Sequence, residues 1–461
     1  MSELRLRTKK LAMLFATIVF ALLGVVGVFS LAKSSQARAA FNAPAASPSL
    51  PEFIITVNAT GTLSVIDTRT DIVYGPFLAG ALGSKGGGLF DVAITPDGHT
   101  ALVSNFGDSK VFFVDFSNPL EPSVVATITL PMFAEDIDIT KDGRFALVTD
   151  GGFSPYVATI DVIQRSLVYT ANFSTDGVYS YAVAIGAYNT VVTADYFFGR
   201  VNALLLDATG QLTVTGEYTY TQNLDGSILS QTNVVAAQQS AAVRPILPAG
   251  TSYPDTAKAN RSVDAPLAGY HTPRPVNVAI APDAQTVLVC DVVNYNNEDG
   301  YSGTITKTLY SVGVYQITGP GELSLTGVIT NLSRATQSIA FSPSGDKAYL
   351  SGNAGLVDPY THSYPYAQLS VLEILGPGNV RLEANGVVDY PRQQGSQLFG
   401  VDTIAIANGK AYLGHPTLSG ITPYLRIINL SDYSVKRLDV PMSVGVVARM
   451  IKQIYLPLII R

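Results

Sequence analysis

The sequence predicts an all-β chain folded as a closed ring of seven four-stranded antiparallel blades. Three observations predict it. One phrase is written twice: Ala93–Asn105 reads AITPDGHTALVSN, and 45 residues later Asp138–Asp150 reads DITKDGRFALVTD. The composition, 47% hydrophobic and 14% charged with 40 Gly and 26 Pro, suits short strands joined by tight turns and argues against coiled coil or disorder. Finally, a sheet unit of this length cannot bury both of its faces alone, so copies must stack radially on one another.

Each copy holds four runs with β-branched and aromatic enrichment, and each run reads as a strand. The first runs are VAITPDG (92–98), IDITKDG (137–143), VAIGAYN (183–189), VAIAPDA (278–284), IAFSPSG (339–345) and IAIANG (404–409). A tight turn follows, and the second run ends in Asn or Asp. The third runs act as a ruler, ending at Asp67, Asp115, Asp161 and Asp207 with spacings of 48, 46 and 46, then at Ile317, Ile374 and Asn429. A fourth run follows a short turn. Six units are complete. The segment Glu52–Leu78 supplies only a second, third and fourth strand. Its missing first strand is found at the other end, where VPMSVGVVARM (440–450) parallels LPMFAEDIDIT (130–140). Residues 444–450 are therefore predicted to pair beside Phe53–Val57, completing a seventh blade and leaving no open edge in the ring.

AITPDGHTALVSN and VFFVDFSNPLEPSVVATI resemble the repeats of the YVTN and LVIVD β-propeller families, and the layout is similar to lactonase-like seven-bladed propellers over most of residues 52–450. The resemblance implies architecture. Its lactonase-like side implies opening of a sugar lactone by water, with Asp150, Asp195 or Asp291 as base or cation holder, although no motif carries that activity over residue by residue. The same architecture hosts enzymes, binders and scaffolds. G-x-S-x-G, H-E-x-x-H, G-x-x-x-x-G-K-[ST], C-x-x-C and G-x-G-x-x-G are all absent from the sequence. The leading expectation is a non-enzymatic binding or scaffold module.

Residues 1–39 read as a signal peptide or membrane anchor. Arg5, Arg7, Lys9 and Lys10 precede the uncharged apolar run Leu11–Leu31, and Ala37-Arg38-Ala39 offers small residues at a cleavage site. That run, 21 residues long, is also sufficient to cross a bilayer. Either way, the expectation is a secreted or cell-envelope protein, with the membrane involved only if the segment stays uncleaved. Residues 40–51 are a linker, 52–450 the propeller, and 451–461 an apolar tail too short to span. Cleavage takes away six Lys/Arg and one Glu, carrying the formal charge from −6 to −11. Such an acidic chain is a poor nucleic-acid binder; a protein or cell-envelope partner is expected. Cys290, the single cysteine, sits in the apolar run TVLVCDVV and reads as core.

Turns between first and second and between third and fourth strands are short throughout. The other face collects the insertions, 222–274, 293–308 and 354–366, together with the longer link 391–400. Insertions gathered on one face mark the binding face of a repeat protein. The same face collects the ends of the second strands, Asn58, Asn105, Asp150, Asp195, Asp291, Asn353 and His415. Beside them start the inner strands, at Asp91, Asp136, Asn277, Ser338 and Asp402. This oxygen-rich ring suits Ca²⁺ or a polar ligand, although Asn and Asp also end strands simply because they bond their own backbone in turns. Arg244, Arg261 and Arg274 are candidates to neutralise it. His99 belongs to the opposite face. His271, His362 and His415 fall on separate inserted segments without metal-site spacing. NYNNEDG (294–300) misses the EF-hand spacing and reads as a turn. Eight tyrosines of the insertions (Tyr253, Tyr270, Tyr295, Tyr301, Tyr310, Tyr360, Tyr364 and Tyr366) offer amphipathic contact area, while Trp is absent.

Overall fold

The computed structural model describes residues 52–58, 61–83, 89–150, 155–173, 182–195, 199–222, 228–240, 274–296, 305–332, 338–354, 366–391, 403–414, 423–441 and 444–451. They form seven antiparallel sheets. Blade 1 is composite: Val444–Ile451 pairs with Glu52–Asn58, followed by Thr62–Asp67 and Ile72–Phe77. The register matches Phe53 to Met450 and Val57 to Val446, so the two ends of the chain close the ring as the repeats predict.

Blades 2 to 7 begin with the inner strands Leu89–Ile94, Ala134–Ile139, Ala182–Ile185, Arg274–Ile280, Ser338–Phe341 and Thr403–Ala407. These lie side by side in a circle, and Val444–Ile451 packs between the inner strands of blades 7 and 2. Strands grow more exposed outward: Lys110–Asp115 is almost wholly buried, whereas Ser123–Thr129 outside it alternates with solvent. Blade 4 differs from expectation by a fifth strand. Ile228–Ser240, from the 222–274 insertion, pairs along Thr213–Gln222 and covers that outer edge.

Seven apolar layers hold the ring, one at each blade-to-blade interface. Leu102, Val111 and Phe113 of blade 2, for example, meet Ile137, Val148 and Ile160 of blade 3. The remaining layers join blades 3 and 4, 1 and 2, 4 and 5, 7 and 1, 6 and 7, and 5 and 6. Cys290 is buried in the layer between blades 5 and 6, as its apolar surroundings suggest.

The repeated turns have a common mechanism. In TPDG the Gly98 N–H donates to the Thr95 carbonyl at 2.8 Å, and Gly98 takes φ +72°, where a side chain would be strained. Asp97 Oδ1 accepts from Thr95 Oγ1 at 2.6 Å and from the His99 N–H at 3.0 Å. Thr140, Asp142 and Arg144 repeat that arrangement in blade 3. The Asp that ends third strands does a similar job: Asp115 Oδ1 accepts from the Ser117 N–H, Asp207 Oδ1 from that of Thr209, and Asn429 Oδ1 from that of Ser431.

Candidate functional site

The mouth lies where inner strands begin and second strands end. Two β-bulges build its best-formed part. In blade 2 the register slips between Leu89 and Val92, and in blade 3 between Ala134 and Ile137. Bulges re-aim side chains, and these two carry Phe90-Asp91 and Glu135-Asp136. Ser104 ties the bulges together. Its hydroxyl accepts from the Asp91 N–H at 2.9 Å and donates to the Glu135 carbonyl at 2.6 Å. Thr149 Oγ1 repeats the first contact on the Asp136 N–H.

The carboxylates first serve the fold. An inner strand pairs with its own blade along one edge only, so backbone donors on the other edge need partners. Asp91 Oδ2 accepts from the Ile137 N–H at 3.1 Å, Asp136 Oδ2 from the Val183 N–H at 2.7 Å and Asp138 Oδ2 from the Ile185 N–H at 2.8 Å. Ser338 Oγ accepts in the same way from Ile404 of the next blade. Each acidic side chain thus stitches its inner strand to the next one round the ring. The neutralising backbone donors come from inner strands. Arg244 and Arg261 lie outside the described residues, and Arg274 is described only as a strand residue.

The crowding has an electrostatic consequence. Burial and then the Asp91 charge hold the Asp136 carboxyl well above the usual carboxylate range. Burial raises Asp138 to about 7 against the backbone donors that favour its anion. Glu135 is pushed to about 8, by burial first and then by Asp150 and Asp91. It is only 3% exposed, and its Oε2 has no hydrogen-bond partner.

Other sequence-selected residues separate from this group. Asn105 is buried; its Nδ2 donates to the Leu82 carbonyl and its Oδ1 accepts from the Asp108 N–H, so it shapes a turn. Asn58 donates to Thr62 Oγ1 and Ser64 Oγ. Asp150 Oδ1 accepts from the Phe133 N–H at 3.2 Å, fixing the start of the blade 3 inner strand. Asp195 is fully buried with Arg200 at 3.8 Å, and Arg200 also pairs with Glu217. Asp291 is sealed between blades 4 and 5, where Tyr220 donates to its Oδ2 at 2.5 Å. Burial lifts Asp291 to about 7 and Tyr220 well above its usual range. Asn277 is half-buried next to a third bulge. Asn353 is described only as a strand residue, and Asp402, His271, His362 and His415 lie outside the described residues. Among the described residues no group of three His, Cys, Asp or Glu side chains could hold a metal ion.

Sequence reasoning missed the aromatic part. Phe106 follows Asn105, its ring stacks on Phe133 at 4.9 Å, and it meets the Phe90 ring at a tilt with 6.2 Å between centroids. Phe90 and Phe133 are 42% and 45% exposed. The signal was present in the parallel words LFD (89–91) and MFAED (132–136), which place a Phe just before an acidic bulge in adjacent blades.

Of the insertions, 293–308 begins and ends as strand: the ladder continues through Asn294↔Thr308 and Tyr295↔Lys307, lengthening the blade 5 hairpin at the mouth end. The hairpin of blade 6 likewise reaches Ala354↔Tyr366. The 222–274 segment behaves differently. Its strand starts at Ile228 beside Gln222 and runs to Ser240 beside Thr213, toward the opposite face.

One solved structure supports the fold. A functionally unknown protein from Desulfotomaculum acetoxidans DSM 771 superposes with a TM-score of 0.57 at 17% identity, over 87% of this chain and 99% of that one. Kuenenia stuttgartiensis hydrazine synthase (TM-score 0.44, 14% identity, 87% and 99% covered) and apo AztD from Citrobacter koseri (0.45, 10%, 87% and 98%) are more distant. No family model matches the chain, and no curated protein does. The chain is a seven-bladed β-propeller, and its likeness to the YVTN and LVIVD repeats rests on the repeat words alone.

Proposed function

We propose that this chain is an extracytoplasmic binding module that takes its partner, a protein or cell-envelope component, at the mouth bearing the bulges of blades 2 and 3. One observation carries the reading: Phe106 packs against both Phe90 and Phe133, two nearly half-exposed rings that each lie within two residues of a bulge carboxyl. Exposed aromatic clusters on a soluble surface mark contact sites, and aromatic side chains dominate binding energy where such surfaces are covered. The lengthened hairpins of blades 5 and 6 rise on the same face. Export rests on the Arg/Lys-led apolar run at the N-terminus.

The test compares two faces. Binding of purified protein to a cell-envelope fraction is measured for the native chain, for Phe106→Ala at the mouth, and for Asp97→Ala with His99→Ala on the short-turn face. Loss with the mouth variant alone is expected; loss with the short-turn variant alone overturns the reading. The lactonase-like alternative keeps one observation in its favour. Glu135, held protonated to about pH 8 beside other carboxyls, resembles the acid–base pairing that lactone opening needs. A panel of sugar lactones with native protein and Glu135→Gln tests it, and turnover lost in the variant would favour it.

A further inference from the structure

We propose that the bulged surface shared by blades 2 and 3 binds an organic ammonium ion, with the Phe90, Phe106 and Phe133 rings as its apolar contact and the carboxylates of the two bulges as its counter-charge. This rests on the mouth being the binding face. The aromatic observation is geometric: Phe106 of blade 2 stacks on Phe133 of blade 3 at 4.9 Å and meets Phe90 at a tilt at 6.2 Å. Ring faces attract cations within about 6 Å, most strongly when the cation sheds its water.

A second observation points to positive charge. Glu135 is 97% buried and its Oε2 meets no donor in the protein. A buried carboxyl oxygen without a partner is costly, and Glu135 faces Asp91 and Asp150, both of which add to that cost. Among the described residues no ion pair reaches Asp91, Glu135 or Asp136. Below about pH 8 Glu135 keeps its proton; once it ionises, a ligand is left to supply the positive charge that the protein does not.

The kind of cation follows from the arrangement. Ca²⁺ wants six to eight oxygens converging on one point, and among the described residues no three acids converge so. Two of the carboxylates already spend an oxygen on the next blade's backbone. Carboxyls crowded together but with oxygens already committed to backbone donors, close in sequence to exposed rings, fit a large, weakly hydrated cation whose methyl or methylene groups lie on the rings.

The probes are tetramethylammonium, choline, and 3,3-dimethylbutan-1-ol, a neutral molecule of choline's shape, each titrated into the full chain by calorimetry at pH 8.5. Choline and tetramethylammonium should bind, and the neutral isostere at least tenfold more weakly. Phe106→Leu and Phe133→Leu keep the apolar volume and remove the ring face; each should weaken binding about 3- to 30-fold, the range of a cation–π contact. Glu135→Gln should weaken it about tenfold with the melting temperature held or raised. Equal binding of the neutral isostere, no binding of either cation at 50 mM, or full binding by both Leu variants overturns the proposal. The two readings fail separately. A mouth-dependent envelope partner without ammonium binding sinks this inference alone, and ammonium binding with envelope capture insensitive to Phe106→Ala sinks only the partner reading.

Discussion

Truncation after Pro441 removes Val444–Ile451, the strand that joins the end of the chain to its beginning. Seven residues of Glu52–Asn58 have partners on that strand. At about 1 kcal/mol net for each ladder hydrogen bond, and one bond per pair on average, the lost pairing costs about 7 kcal/mol. Ile54, Ile55 and Val57 are fully buried, and uncovering a third of each adds about 2 kcal/mol. The inner strands of blades 7 and 2 also lose the neighbour between them. A loss of about 9 kcal/mol compares with a typical total stability of roughly 5–15 kcal/mol. With an unfolding entropy near 2.1 cal/mol/K per residue over about 400 residues, it lowers the melting temperature by about 10 °C or abolishes the transition. The assay is thermal melting by circular dichroism of the full chain, of a truncation after Ile451, and of the truncation after Pro441 with and without a synthetic peptide of residues 442–461. The first two should melt together, and the peptide should restore the third. A chain ending at Pro441 that melts within 2 °C of the full protein would refute the closure argument.

Asp136→Asn keeps an acceptor for the Val183 N–H and removes the cost of ionising a buried carboxyl beside Asp91, so it should leave stability unchanged or raise it. Asp136→Ala orphans the donor and should cost about 1–3 kcal/mol in urea unfolding; equal effects of the two variants would contradict the stitching role. Tyr220→Phe removes the hydroxyl donor from the sealed Asp291 and should cost about 2–3 kcal/mol, more than Tyr220→Phe combined with Asp291→Leu, which removes the stranded charge as well. Stability should also fall with rising pH. Glu135 near 8 and Asp138 and Asp291 near 7 keep protons that the unfolded chain has released at about pH 4–4.5. Their contribution is fully present below that unfolded range and is lost as pH rises to about 8. The melting temperature should drop by several degrees between pH 5.5 and 8.5, and less in Asp291→Asn; a rise across that interval would show that these carboxyls are already ionised in the folded chain.

The ring was legible in the sequence because its information is local and repeated. TPDG and TKDG encode the same turn through Asp side chains and a Gly at positive φ, and the spacing of terminal Asp residues counts the blades. Even the composite blade could be read, since VPM near the end echoes LPM in blade 3. The sequence also named Asp91 and Asp136 as neighbours of the mouth. What they do there was decided by the tertiary structure, because an inner strand's unpaired edge exists only once the next blade is in place. The fifth strand of blade 4 was hidden for a similar reason: Ile228–Ser240 lacks the repeat words, and it is a strand because Leu212–Gln222 offers a long free edge. Asp195 and Asp291 end second strands just as Asp150 does, yet Asp195 meets Arg200 and Asp291 meets Tyr220 from a neighbouring blade. The ring cluster joins Phe90 and Phe133, which the repeat places alike in adjacent blades, with Phe106, which the repeat does not relate to either. A contact between blades 2 and 3 brings them together, and only packing of the ring could do so.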